Sequence, residues 1–382
     1  MTASFTWMDH APGDTERVRE ALRAFDDQGT LDPLGFGVVR DAFSNILFPG
    51  ITTNQTRAKY FLLVPWAHRQ ARREKHPPRR ALERARELEI QTIHALVQGS
   101  RSSETGIIGR RVGAAIGSLP SEAYWSGLHA WGIRSFEGSP RDYLASIGID
   151  EGFPGCPEPP PNVFESTDIR LVREEAEYLV DRVMATHPTS FLAHCVFGSK
   201  DPASRQPLWE HAGVGGVSKE LARQLHHAEL FAVATWGAAL ILNRVVANLR
   251  AEDRGMPGAD VLGSDLAIWM DMIRSRRSSF KKWDRTDFWH LVLDATWVPR
   301  HTREFIDRWL DLAISNAASA IRPSAEALNL LRAREHQLKG PRARLVSQRA
   351  REVSSGLQGT SLLDFRWGTG AVIITDIRQG LR

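Results

Sequence analysis

The run Leu230–Asn243 is apolar on nearly every side. A surface helix carries one apolar stripe, whereas a helix that is apolar all round has to be buried. The chain must therefore fold around a central helix, which the pattern extends over Ser218–Leu249. Other helices have to supply its walls. This run and the next longest, Tyr60–Trp66, are both shorter than the ~20 residues a membrane helix needs. Met1–Asp14 carries no basic segment followed by an apolar one, and there are only two cysteines, Cys156 and Cys195. The expectation is a soluble, cytoplasmic protein without a membrane partner.

Helical spacing dominates elsewhere. A short aromatic segment, Phe5–His10, reads as a strand or an extended tail, and a helix follows over about Thr15–Phe25. Residues 38–64 read as helix, tight loop and helix, broken at Phe48-Pro49-Gly50, with Thr52-Thr53-Asn54 offering an N-cap and the second helix ending before Pro65. Arg69–Val97 is a basic helix interrupted at Pro77-Pro78. Gly106, Gly109, Gly113 and Gly117 fit neither a dinucleotide fingerprint nor a Walker loop, so close packing is their expected use, with a recognition turn between two helices as the alternative. Asp150–Pro161 is too dense in proline and glycine for a regular element and marks a domain boundary or a large surface loop. Helices resume over Ser166–Thr186, Leu208–Ala212, Ala259–Arg276, Ser279–Ala295 and Arg303–Ile321, and Ala371–Thr375 is β-prone.

The fold class expected is mainly α, with two helical domains or subdomains, a few short strands and a mixed C-terminal tail. A length of 382 residues suits roughly two domains. The divisions are an N-terminal helical domain over 1–150, a linker or loop over 151–165, a Trp-rich helical domain over 166–340 and a basic segment over 341–382.

A net charge of +4 is mild, but its distribution is uneven. Arg69–Arg86 holds eight Lys/Arg against Glu74 and Glu83, and Arg322–Arg382 holds eleven against five acids. Arg274, Arg276, Arg277, Lys281, Lys282 and Arg285 enclose only Asp284. Each cluster is either a solvated helix face or part of a polyanion-binding surface, and their repetition favours the second. The residues expected to meet phosphates are Arg57, Lys59, Arg72, Arg73, Arg79, Arg80, Arg276, Arg277 and Lys282. Twelve tryptophans, with Trp269, Trp283, Trp289, Trp297 and Trp309 in one region, serve as core fillers or, where exposed beside arginine, as stacking surfaces.

Catalytic chemistry has little foothold. His226, His227 and Glu229, His290 and Asp294, and His301 and Glu304 share helix faces, but the metal-binding spacings His-Glu-x-x-His and Cys-x-x-Cys are missing. Cys195 follows His194, and adjacent side chains point apart. No metal, cofactor or catalytic residue is expected, and an enzyme is the less favoured reading.

Several motifs carry a resemblance. Phe5-x-Trp7, Asp32-x-Leu34-Gly35-x-Gly37-x-x-Arg40-Asp41-x-Phe43, Leu47-Phe48-Pro49-Gly50, Thr56-Arg57-Ala58-x-Tyr60-Phe61 and Pro65-Trp66 lie in the first ~70 residues. Arg344-Leu345 and Leu363-Asp364-Phe365-Arg366-Trp367 lie in the last ~40. Together they resemble an uncharacterised bacterial family with a domain of unknown function. That resemblance transfers no catalytic residue. It implies a prokaryotic cytoplasmic protein, linked to nucleic acid in defence or DNA processing. Arg40, Asp41 and Arg57 are its polar members without an evident structural reason, so they lock the turn or, with Tyr60 and Arg366, line a pocket. Three functions remain open: a nucleic-acid-associated accessory protein, a helical scaffold for protein partners, and an enzyme with a pocket near Asp41 and Arg57.

Overall fold

The structure, a computed structural model, describes residues 32–146, 152–198, 202, 206–211, 216–257, 261–315, 324–354 and 356–382. The segments expected at Phe5–His10 and Thr15–Phe25 lie outside these. Among the described residues, fifteen α-helices are α1 (Gly37–Leu47), α2 (Tyr60–Arg73), α3 (Pro78–Gly99), α4 (Pro120–Ala130), α5 (Pro140–Ala145), α6 (Arg173–Thr186), α7 (Phe191–Phe197), α8 (Lys219–Asp253), α9 (Gly263–Ser275), α10 (Arg277–Lys281), α11 (Arg285–Ala295), α12 (Arg300–Ser315), α13 (Ala325–Lys339), α14 (Gln348–Val353) and α15 (Trp367–Leu381). Among the described residues there is no strand. The protein is mainly α, and the β-prone reading of Ala371–Thr375 is corrected, since that run is helical.

The chain forms two compact units: unit 1 holds Ser44–Leu221 with Arg366–Arg382, and unit 2 holds 32–43 with Ala222–Phe365. Both sides of the proline-rich stretch belong to unit 1. From residue 152 on it is a packed loop, with the Trp66 indole donating to Pro157 O at 2.7 Å and with Phe153, Cys156 and Val163 buried.

In unit 2, α8 is the expected central helix, with Leu230 to Ala234 and Leu240 to Leu242 almost fully buried. Gly237 sits in its middle because a Cβ there would lie 2.1 Å from the Trp269 ring. The Trp269 and Trp309 indoles donate to the α8 carbonyls of Val233 and Ala234 at 2.8 and 2.9 Å. A mid-helix glycine costs about 1 kcal/mol, and seating two large indoles on the helix outweighs it. At 35 residues α8 is long and apolar enough to cross a membrane, and 72% of its most apolar window is buried inside the protein. The Ser279–Ala295 pattern is two helices, because the Asp284 side chain accepts from Asp287 N at 3.0 Å and starts a new one.

In unit 1, α2 begins at Tyr60 and runs through Pro65 to Arg73, where the sequence pattern predicts an end before the proline. An interior proline costs about 3 kcal/mol. Burial of Phe61, Leu62, Leu63 and Trp66, at about 1.5–3 kcal/mol each, more than offsets it. The β-prone run Ala371–Thr375 lies inside α15. Trp367, Gly370, Ala371, Ile374 and Ile377 repeat at helical spacing and are all buried, so packing overrides the β preference of isoleucine and valine.

Candidate functional site

The first motif is a structural device of unit 2. The Asp32 carboxylate accepts from the amides of Gly35, Phe36 and Gly37 at 2.9, 3.1 and 2.5 Å, which closes the turn before α1. Gly35 takes φ +77°, and a Cβ there would lie 2.5 Å from Arg334 Nη2. Arg334, from α13, enters this gap and donates to Leu34 O, Thr302 Oγ1 and Gln337 Oε1 at 2.9 to 3.0 Å. Its guanidinium also covers the Phe305 ring at 4.9 Å. Burial pushes Arg334 down to about 10 against the opposing charge of Asp32, since among the described residues no carboxylate forms an ion pair with it.

Leu47–Gly50, Thr56–Phe61, Pro65-Trp66 and the Arg366-Trp367 end of the tail motif meet inside unit 1. Gly50, at φ +76°, lets the Pro49-Gly50 turn lie against Trp131, whose indole donates to Pro49 O at 2.8 Å. Trp131 stacks on Phe61 with centroids 4.0 Å apart. Phe48 packs on Trp367 of the tail motif, and Gly370 leaves the room that Phe48 fills. The two ends that carry the resemblance are therefore neighbours in space.

The sequence pattern predicts that Arg57 and Lys59 present charge to phosphates at a helix start. The structure buries both, at 6% and 3% exposure. Arg57 Nε lies 2.9 Å from Asp376 Oδ2, and Nη1 donates to Glu104 Oε2 and Thr105 O, each at 2.9 Å. Burial alone would lower the guanidinium, but the bonds to Asp376 and Glu104 outweigh it and leave it raised. Gly106, at φ +80°, wraps this arginine so closely that a Cβ would lie 2.9 Å from Arg57 Cγ. Gly109 packs likewise on Ile93, while a Cβ on Gly113 would meet only His94, at 3.7 Å, and Gly117 has open space. Lys59 pairs with Glu175 at 2.5 Å, and burial lowers its ammonium in spite of that partner. Tyr124 ties the same segment by accepting from the amides of Thr56 and Arg57 and donating to Arg57 O.

The expected pocket residues are each engaged locally. Arg40 and Asp41 form a two-pronged pair at 3.0 and 3.2 Å, so the lock expected for Asp41 is made with Arg40, while Arg57 goes to Asp376. Tyr60 is buried, with its hydroxyl accepting from Ile108 N at 2.8 Å, and burial raises its pKa. Arg366 donates to Asn45 Oδ1 and Ile51 O, both at 2.7 Å. Phe365 and Arg366 are consecutive non-glycine residues at φ +51° and +66°, a conformation that costs about 1–2 kcal/mol per residue and is held here by those bonds and by the burial of Phe365.

The three basic clusters differ in kind. Arg72 donates to Tyr143 O and Ser146 O and covers the Tyr143 ring, and Arg73 pairs with Glu158 at 3.2 Å. Arg79 and Arg80 lie on an exposed face laced with Glu83 and Glu87. The C-terminal cluster is split: Arg334, Arg344, Arg351 and Arg378 are buried, whereas Arg332, Arg342 and Arg349 are exposed. Around α10 charges stand open. Arg276 pairs with Glu229 at 2.7 Å, but Arg277, Lys281 and Lys282 are exposed and, among the described residues, carry no ion pair. Phe280 and Trp283, both buried, anchor this turn so that its cations face water.

Trp269, Trp283 and Trp309 are core, Trp289 is half-buried and donates to Asp307, and Trp297 is 78% exposed. His227 Nδ1 accepts from the Trp283 indole at 2.8 Å, which leaves its Nε2–H to donate to Asp287 at 2.8 Å. Burial pushes the thiols of Cys156 and Cys195 up to about 12, far from a nucleophilic thiolate. Among the described residues no group of three His, Cys, Asp or Glu is placed to hold a metal ion.

Sequence patterns give no sign of Glu89. It lies on α3 at 3% exposure, accepts from Ser121 N at 2.8 Å, and is pushed by burial up to about 7. Leu119, which precedes α4, supplies no side-chain cap, so this distant carboxyl serves the first free amide of that helix.

A family model described as "Family of unknown function (DUF6361)" matches residues 2–379. No curated protein and no solved structure matches the chain.

Proposed function

Because the chain belongs to this family of unknown function over nearly its whole length, where the motifs alone touch only its two ends, we propose a function from its surface chemistry. The protein acts as a nucleic-acid-associated accessory protein that binds phosphates through the α10 turn. One observation carries the reading: Arg277, Lys281 and Lys282 are exposed together, without carboxylate partners among the described residues, on a turn anchored by Phe280 and Trp283. In the Arg69–Arg86 cluster, by contrast, Arg69, Arg73, Arg79, Arg80 and Arg84 are all in ion pairs. An uncompensated triplet of cations held at a surface is what phosphate contacts require. A place in prokaryotic defence or DNA processing rests only on the resemblance of the two ends.

The test is a salt titration of binding to single- and double-stranded DNA and RNA, using the parent and an Arg277→Ala/Lys281→Ala/Lys282→Ala variant. Losing three phosphate contacts reduces the slope of log K against log salt by about 2–3. Equal slopes would remove this turn from the interface, and no binding at low salt by the parent would end the reading. A protein scaffold is the second reading, favoured by Trp297, whose indole is 78% exposed in the turn between α11 and α12.

A further inference from the structure

Arg344, of the tail motif Arg344-Leu345, is 2% exposed, and its Nε donates to the fully buried Glu335 at 2.9 Å. Glu335 spends its other oxygen on Leu345 N at 2.9 Å. Both terminal nitrogens of the guanidinium, Nη1 and Nη2, are buried and, among the described residues, have no hydrogen-bond partner. Leaving charged donors desolvated and unpaired is among the most costly arrangements in a protein interior.

The surroundings add positive charge. Arg351 donates to Arg344 O at 2.9 Å and holds Asp253 with two bonds at 2.7 and 2.8 Å. Arg250 donates to Arg351 O at 2.8 Å and to the Ser354 hydroxyl. Lys339 is half-buried and, among the described residues, has no ion pair. Burial and then the Arg344 charge push Lys339 down, and burial followed by the same charge does so for Arg250. Arg344 and Arg351 are paired with Glu335 and Asp253, whereas Arg250 and Lys339 carry no ion pair among the described residues, and Glu252, Glu352 and Asp32 act on this cluster only at longer range.

We propose that this cluster is a binding site for a phosphate group, held by the terminal nitrogens of Arg344 with Lys339 at its edge. A phosphate carries close to two negative charges at neutral pH and offers the oxygens that a planar guanidinium fork matches. The site is separate from the α10 turn and does not depend on it. Both Arg344 nitrogens are closed to bulk water, so an entering group displaces packing. The neighbouring turns hold Gly340 and Gly356, both at positive φ with open space where a Cβ would be.

Thermal unfolding of the full chain tests this at constant ionic strength, with inorganic phosphate, AMP, adenosine or chloride added. Inorganic phosphate or AMP raises the midpoint saturably, adenosine and chloride do not, and AMP acting without inorganic phosphate identifies a phosphomonoester as the source. Arg344→Ala strands Glu335 and can fail to fold, so the variant that decides is Lys339→Gln, which leaves the Arg344–Glu335 pair intact. It weakens the apparent affinity by about tenfold, the loss of one charge-assisted contact. The triple α10 variant keeps the full response. No saturable shift with either phosphate compound, an equal shift with adenosine, or unchanged affinity in Lys339→Gln would overturn the site.

Discussion

Replacing Glu89 by glutamine removes an ionisable group from the interior of unit 1 and keeps an acceptor for the Ser121 amide. The folded carboxyl is raised by burial from 4.5 to about 7. That rise corresponds to about 3 kcal/mol. Its sign follows from proton binding: between pH 4.5 and about 7 the folded protein holds a proton that the unfolded chain has lost. Stability therefore falls as pH rises through that window, and the full penalty is present above it. His68 works in the opposite direction. It is fully buried against Trp125 with burial lowering it to about 4, so it disfavours the folded state as pH falls below 6.5. The two effects nearly cancel, and the parent's own pH profile hides both. The difference between Glu89→Gln and parent does not. Urea unfolding at pH 8 should show the variant more stable by about 3 kcal/mol, with the two converging near pH 4.5. A variant no more stable than the parent at pH 8, or a difference that does not change with pH, would refute a neutral buried carboxyl at this position.

Arg57→Ala leaves Asp376 buried beside Glu104 without its cation, and thermal unfolding should report a loss of about 3–5 kcal/mol. Asp376→Asn combined with Arg57→Met should recover part of it. Gly50→Ala forces a Cβ to 2.7 Å from Trp131 at positive φ, so urea unfolding should show a loss of at least about 1–2 kcal/mol. Cys156 and Cys195, buried with thiols near 12, should resist iodoacetamide at pH 8 until the chain is unfolded. Rapid labelling of the folded protein, read by mass spectrometry, would contradict their placement.

Helix identity is legible wherever one face repeats, and the all-apolar run by itself marks α8 as a core helix. Local patterns fail where tertiary packing outbids local preference. Pro65 is tolerated because α2 is buried along most of its length, and Ala371–Thr375 is helical because its isoleucines fall on one buried face. The charged residues mislead for another reason. Lys59 and Glu175 are far apart in sequence, as are Arg57 and Asp376, so a cation that reads as available from its neighbours is neutralised by a residue no local pattern includes. Glu89 is invisible in the sequence because a single glutamate on a helix carries no periodic signal of its burial.

The motif residues divide by whether their polar groups are satisfied. Asp32 spends its carboxylate on three amides, Gly35 makes room for Arg334, Arg57 binds Asp376 and Glu104, and Arg366 binds Asn45 and Ile51. Each of these is explained by the fold it maintains, and none needs a ligand. A pattern shared between chains for that reason reports architecture and carries no information about activity. Arg344 is different. It belongs to the same motif set, yet both of its terminal nitrogens are without a partner among the described residues, beside Arg250 and Lys339, which form no ion pair there. Folding alone would favour a neutral side chain of similar size there, because the pair with Glu335 uses only one of its nitrogens. The excess donors at Arg344 are therefore where structure stops explaining sequence, and where a phosphate group would complete it.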